Sequence, residues 1–258
     1  MRVEAWVNMS DEKQAIRVRE AGGQQRGLVT HAVLVGLTPL IPVPLLDDLV
    51  KNYFRRRMVR GLAASAGRGL SDEELDALAA EKERGCLPGC LAAVFVYPLK
   101  AVFRKVFYFL EIKRAVDLAS RTYHYGFLVD YALRPRAGGA SALDLYGAKR
   151  VNAAAQAACL EAPVKPVEAA IGGTFRKSGN VLRGAAAMLA GSLRRVSGRA
   201  RAERVAQAIE EVEPEEEREL EPVVTRIQRS IASVPEEHFR DLRARFEARL
   251  RADESPRR

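Results

Sequence analysis

Two thiols one helical turn apart, Cys86 and Cys90, and an adjacent acid pair, Asp47-Asp48, are the residue groups here whose spacing could do chemistry. A Cys-x-x-x-Cys pair on a helix could hold half of a zinc site. Pro88 sits between the thiols, however, and no further Cys/His pair follows at a structural zinc spacing. Two small, soft side chains beside an apolar run is the plainer reading, with acylation near a membrane as the other. Asp47-Asp48 ends an uncharged stretch. It reads either as a binding or proton-handling site or as the cap and dipole complement of the helix that follows. His31, His124 and His238 lie far apart in sequence and form no metal or triad spacing. No G-x-x-x-x-G-K-[ST] loop occurs. These residues assign no catalytic group, no metal and no cofactor, and a non-enzymatic protein is expected.

The elements that carry these residues are helical in pattern. Ala and Leu dominate, aromatics are sparse, and long alternating Val/Ile/Thr runs are missing, so an all-α fold is expected. Gly27 to Leu46, GLVTHAVLVGLTPLIPVPLL, has no formal charge at neutral pH and ends in Pro39, Pro42 and Pro44. About twelve of its residues can be regular helix, roughly 18 Å at 1.5 Å per residue, against about 30 Å of bilayer hydrocarbon. It is short for a span and suits a re-entrant turn, an in-plane element or a buried core turn. Cys86 to Leu99 is a second such run, broken by Pro88 and Pro98. It leads into an amphipathic stretch with Leu99, Phe103, Val106 and Leu110 on one face. Tyr123, Tyr125 and Tyr131 cluster beyond it, at a lipid–water boundary or in a core.

Other signals punctuate the chain. A helix is expected from Leu45 to Ala66, closed by Gly67. Ser71 with Glu74 is a capping box for a helix through Glu83. Asp144 starts an alanine-rich helix ending near Pro163. From Val167, positions 167, 171, 175, 178, 182, 185, 189 and 193 keep a three-four rhythm. In the tail, Val224, Ile227 and Ile231 make one apolar stripe, and Phe239, Leu242, Phe246 and Leu250 another; a helical hairpin over 222–252 is expected. The chain thus divides into an apolar helical region (1–135), an Ala/Gly-rich basic region (136–200) and a charged helical tail (201–258). The expected architecture is an irregular helical bundle with two proline-broken apolar elements and a C-terminal hairpin.

Charge is uneven. The net charge is +9, but residues 1–200 hold 30 Lys+Arg against 18 Asp+Glu, and residues 201–258 hold 12 against 15. Between Glu168 and Glu203 there are seven basic residues and no acid. A basic body points to an anionic partner; a general preference for Arg explains the total better than it explains the clustering. Three cysteines suit a reducing compartment. Met1 to Asn8 lacks the pattern of a cleaved signal, so the cytoplasm or the cytoplasmic face of a membrane is expected.

Residues 33–79, with Ile41, Pro42, Pro44, Asp47, Met58, Val59, Leu62, Ala63 and Gly67 at the defining positions, resemble the proline-punctuated helical segment of the EcsC-like and YcjF-like membrane-associated bacterial families. The likeness covers about residues 15–135. Leu45 departs from the Gly that relatives often carry there. The resemblance implies membrane association in an accessory role and transfers no catalytic residue.

Three basic clusters (51–60, 100–105 and 176–201) adjoin or overlap apolar helices. Lys and Arg beside such elements bind anionic headgroups. The residues expected to face lipid are Leu34, Leu37, Ile41, Val43, Leu91, Val94, Phe95, Phe103 and Phe107, with Arg55, Arg56, Arg57, Arg104 and Lys105 toward headgroups. A second reading makes the same apolar runs the core of a soluble scaffold or regulatory protein acting through residues 222–252. No recognition helix or aromatic platform favours nucleic acid.

Overall fold

Ala32 to Thr38 are buried all the way round their helix, not on one face. A helix apolar on every side must be enclosed, and this one is the centre of the molecule. The computed structural model describes residue 23 and residues 25–41, 47–81, 104–134, 143–196 and 202–254. Among them every regular element is helical and no strand occurs, so the fold is all-α as expected.

The central helix, α1, covers 25–37. Pro39 disfavours helix in the residue before it, and the chain tightens into a 3-10 turn over Thr38–Leu40. Thr38 Oγ1 donates to the Val35 carbonyl at 2.9 Å, which satisfies one orphan acceptor of the helix end. Helix α2 (Asp47–Ser65) buries Val50, Phe54, Met58, Val59 and Leu62. It ends at Gly67, whose φ of 67° only glycine adopts freely. Helix α3 (Asp72–Ala79) carries the reciprocal box: Glu74 N–H donates to Ser71 Oγ at 3.2 Å and Ser71 N–H to Glu74 Oε2 at 2.8 Å. It stops four residues short of the expected Glu83.

Helix α4 (Arg104–Leu133) is the long strut against which α1 lies. A methyl on Gly36 would sit 2.8 Å from Ala119 Cβ and 2.9 Å from the Ala115 carbonyl oxygen. One on Gly126 would meet Leu28 Cδ1 at 2.3 Å. Residue 36 is therefore near 115–119 and residue 28 near 126, so the two helices run antiparallel. Small residues let them approach closely.

Asp144 caps α5 (Leu145–Glu161), accepting from Gly147 N–H at 2.6 Å. The three-four rhythm from Val167 is realised in full: Val167, Ile171, Phe175, Ser178, Leu182, Ala185, Leu189 and Leu193 are all buried. They belong to two helices, α6 (Lys165–Lys177) and α7 (Gly179–Leu193), which meet at Ser178. Helices α8 (Ala202–Glu210), α9 (Glu213–Ala232) and α10 (Glu236–Glu254) complete the described chain. Pro222 lies inside α9 and removes one backbone donor there.

The tail is two successive helices joined across residues 233–235, and each leans on the body. Helix α9 packs on α6 and α7, whereas α10 packs on α5 and α4. The two apolar stripes pack on separate partners. One continuous core runs from Leu28 to Phe246 and draws on all three sequence regions.

Candidate anion-binding face

The apolar turn does not present its side chains outward. Leu34 and Leu37 are fully buried and Ile41 nearly so, which corrects their expected lipid-facing placement: their neighbours are helices. Val43, Leu91, Val94, Phe95 and Phe103 lie outside the described residues, as does the Cys86-Cys90 pair. Arg104, Lys105 and Phe107 belong to the first turn of α4. No helix among the described residues is long and apolar enough to cross a membrane.

The basic run of α2 is also turned largely toward protein. Arg55 is buried, with its guanidinium carbon 4.5 Å from the centre of the Tyr125 ring and Nη1 3.5 Å from Glu81. Lys51 Nζ reaches Glu81 at 2.8 Å and Asp48 at 3.1 Å. Arg56 pairs with Asp72 at 2.7 Å and Asp76 at 3.2 Å. Arg57 donates to the Tyr53 hydroxyl at 3.2 Å. Burial of Arg55 against Tyr125 and Glu81 corrects its expected headgroup contact, and leaves its Nε and Nη2 without a hydrogen-bond partner among the described residues. Arg56, partly exposed, is paired with acids of α3. Asp48, in the first turn of α2, is an ion-pair partner of Lys51.

Around Arg55 is a polar core built to hold helix ends. The last carbonyls of α3 lack intrahelical donors. Asn152 Nδ2 donates to Ala77 O at 2.7 Å and Ala80 O at 2.9 Å. The Tyr125 hydroxyl hydrogen-bonds to the Leu78 carbonyl and lies 3.0 Å from Asn152 Oδ1. Burial pushes the Tyr125 hydroxyl up to about 12 despite nearby Arg55, and burial likewise pushes the Cys159 thiol up to about 12. Both are neutral at pH 7, so this cluster offers no activated nucleophile.

His124 and His238 meet, with their Nε2 atoms 2.8 Å apart and both residues buried. Burial, with His238 adding to it, pushes His124 down to about 3; burial lowers His238 too, against the opposing pull of Asp241. The pair joins α10 to α4. Among the described residues, no group of three or more His, Cys, Asp or Glu could hold a metal ion.

What does face outward is the Phe109–Leu110 pair of α4 and one side of α6. Phe109 is 61% exposed and Leu110 45%. Beside them lies a groove of about 480 Å³ between α4 and α6, lined in part by Phe109, Ile112 and Val116 and rimmed by Lys113, Lys165 and Arg176. Glu168 is its one acidic lining residue. On the other side of α6 a second groove, about 590 Å³, opens toward α9 and holds Lys177, Arg226 and Arg229 with no acid in its lining. Sequence reading found the basic surplus of 176–201. It missed Lys113 and Lys165, which become neighbours of Arg176 only when α4 and α6 pack, and it missed Arg226 and Arg229 inside an acidic tail. The helical spacing of Arg226 and Arg229 was the available signal.

No family model, characterised protein or solved structure matches this chain.

Proposed function

We propose that this is a non-enzymatic helical accessory protein that rests on the cytoplasmic face of a membrane, docking on anionic lipid through the α4–α6 face. The observation that carries the reading is the exposed Phe109–Leu110 pair beside a groove rimmed by Lys113, Lys165 and Arg176 with the single acid Glu168. Each cation near an anionic surface contributes about 1 kcal/mol. Burying an exposed aromatic side chain adds roughly 1.5–3 kcal/mol. Neither contribution suffices alone, and their juxtaposition on one face supports peripheral attachment. The likeness of residues 33–79 to membrane-associated families points the same way.

A second reading, a soluble helical scaffold, is favoured by the burial of Leu28 to Ile41 in the core. Its partner surface would not be the apolar stripes of residues 222–252, which are packed against the body.

Co-sedimentation with vesicles separates the two. The protein should bind phosphatidylglycerol-containing vesicles, release in high salt and ignore pure phosphatidylcholine. Phe109→Ser with Lys113→Glu should weaken binding at least tenfold. Absence of binding to phosphatidylglycerol vesicles at low salt overturns the membrane reading and leaves the scaffold.

A further inference from the structure

The groove between α6 and α9 is separate from the Phe109 face and has its own chemistry. Lys177 stands on one wall and Arg226 and Arg229 on the other, and Thr174, Ser230 and Ser233 add hydroxyls. Arg226 and Arg229 are three residues apart on α9 and so share a helix face. None of the three cations forms an ion pair among the described residues. Three like charges around one concavity repel one another, and a fold that leaves them unpaired is stabilised by an anion placed between them.

Helix ends explain only part of this. Lys177 closes α6 and Arg229 lies in the last turn of α9, where a cation complements the helix dipole. Arg226 lies more than a turn before the end of α9, outside that effect. Glu236 and Glu237 open α10 just past the groove, but neither lines it, and Glu236 is held 3.8 Å from Arg240.

The ligand class follows from the donors. Ser230 Oγ donates to the Arg226 carbonyl and Ser233 Oγ to the Ser230 carbonyl, so both hydroxyl protons are already used. The free donors are the guanidinium and ammonium groups, with the Thr174 hydroxyl, which makes no hydrogen bond among the described residues. Guanidinium forks match phosphate oxygens in bidentate geometry. Three positive charges complement a dianionic phosphomonoester better than a monoanionic diester. The volume, about 590 Å³, suits a small phosphorylated group.

We infer that the Lys177–Arg226–Arg229 groove is a phosphomonoester-binding site. Its ligand is either a lipid headgroup ending in a monoester or a free phosphorylated molecule, and both present the same group. The inference does not require the Phe109 face to touch a bilayer.

Titration calorimetry of the full chain with glycerol phosphate, and with dimethyl phosphate as a diester control at matched ionic strength, tests it. Glycerol phosphate should bind at least tenfold more tightly than dimethyl phosphate. Arg226→Gln/Arg229→Gln should lose that preference, and so should Lys177→Gln on the opposite wall, with melting temperatures of both variants near wild type. The Phe109→Ser/Lys113→Glu variant should keep it, which separates this site from the membrane face. Vesicles carrying phosphatidic acid or phosphatidylglycerol then assign the source. A phosphatidic acid preference lost in the Arg226/Arg229 variant identifies a headgroup, and its absence with glycerol phosphate binding intact identifies a free ligand. Equal binding of the monoester and the diester, or unchanged monoester binding in both groove variants, overturns the inference.

Discussion

His124 Nε2 lies 2.8 Å from His238 Nε2, and His124 Nδ1 has no hydrogen-bond partner. A proton on that Nδ1 would be a buried donor without an acceptor, so the arrangement favours His124 donating from Nε2 to His238. A second proton on either ring either breaks this contact or leaves a charge in the core. The His124 pKa in the fold, about 3, lies below the ordinary 6.5. The unfolded chain therefore binds a proton between those values that the folded chain refuses. Stability is complete above about pH 6.5 and falls as the pH drops toward 3. His31 and His238, also lowered by burial, act in the same direction. Thermal melts should shift down between pH 7.5 and 5, by about 2–4 °C for each kcal/mol lost. His124→Gln retains a donor without a titrating ring and should flatten the acid limb; an acid limb as steep as that of wild type would sink this account.

Asn152 answers two carbonyls at the end of α3, Ala77 and Ala80, and also faces the Tyr125 hydroxyl. Asn152→Ala removes the side-chain donor from the part-buried Ala77 carbonyl, leaves Ala80 O with Gln156 Nε2 alone, strips the Tyr125 hydroxyl of its Asn152 neighbour and opens a small void. The expected loss is about 2–4 kcal/mol, read from urea denaturation. Asn152→Asp should cost at least as much, because it replaces the donor with a charge beside carbonyl oxygens. A loss under 1 kcal/mol for both would mean that water takes over these bonds.

Three glycines in helices should respond differently to alanine. At Gly36 the added methyl meets the backbone oxygen of Ala115 at 2.9 Å and Ala119 Cβ at 2.8 Å, neither of which can swing away. At Gly126 it meets the ends of Leu28 and Met58, which can rotate. At Gly61, in α2, it meets nothing within 4 Å. Overpacking costs about 1–3 kcal/mol, and replacing helical Gly with Ala returns up to about 1 kcal/mol. Gly36→Ala should destabilise most, Gly126→Ala less, and Gly61→Ala should stabilise. If Gly36→Ala proves neutral in a chemical melt, α1 does not lie against α4 as described.

Much of this architecture is legible in the chain. The Ser71–Glu74 box, the Asp144 cap, the Gly67 stop and the eight spaced positions from Val167 to Leu193 are local signals, and each is realised. The fate of Gly27 to Ile41 was not legible, because lipid and a protein core reward the same side chains. Its partners on α4, Ala115, Ala119 and Gly126, are small residues some eighty to a hundred positions away. They advertise no affinity of their own. The basic run of α2 misled for a related reason: charge is visible in sequence, but its neutralisation by Asp72, Asp76 and Glu81 appears only when α3 folds back onto α2. The histidine pair spans 114 positions with no pattern linking its members.

Cys159 is half of a contrast that chemistry can read. Burial raises its thiol to about 12, and nearby Arg55 and Arg121 pull against that rise without cancelling it. The reactive species is the thiolate, so at pH 8 the folded protein should present almost none. In a Cys86→Ser/Cys90→Ser background, a chromogenic disulfide reagent should modify the native protein at least a hundredfold more slowly than the urea-unfolded chain. The native rate should rise when Arg55→Ala loosens the packing of α2 on Tyr125, since the guanidinium lies 4.5 Å from that ring. Removing a cation near a thiol would by itself raise the thiol pKa further and slow the reaction. A faster rate in Arg55→Ala would therefore report lost packing, and a slower one would report an intact core in which Arg55 acts on Cys159 through charge alone.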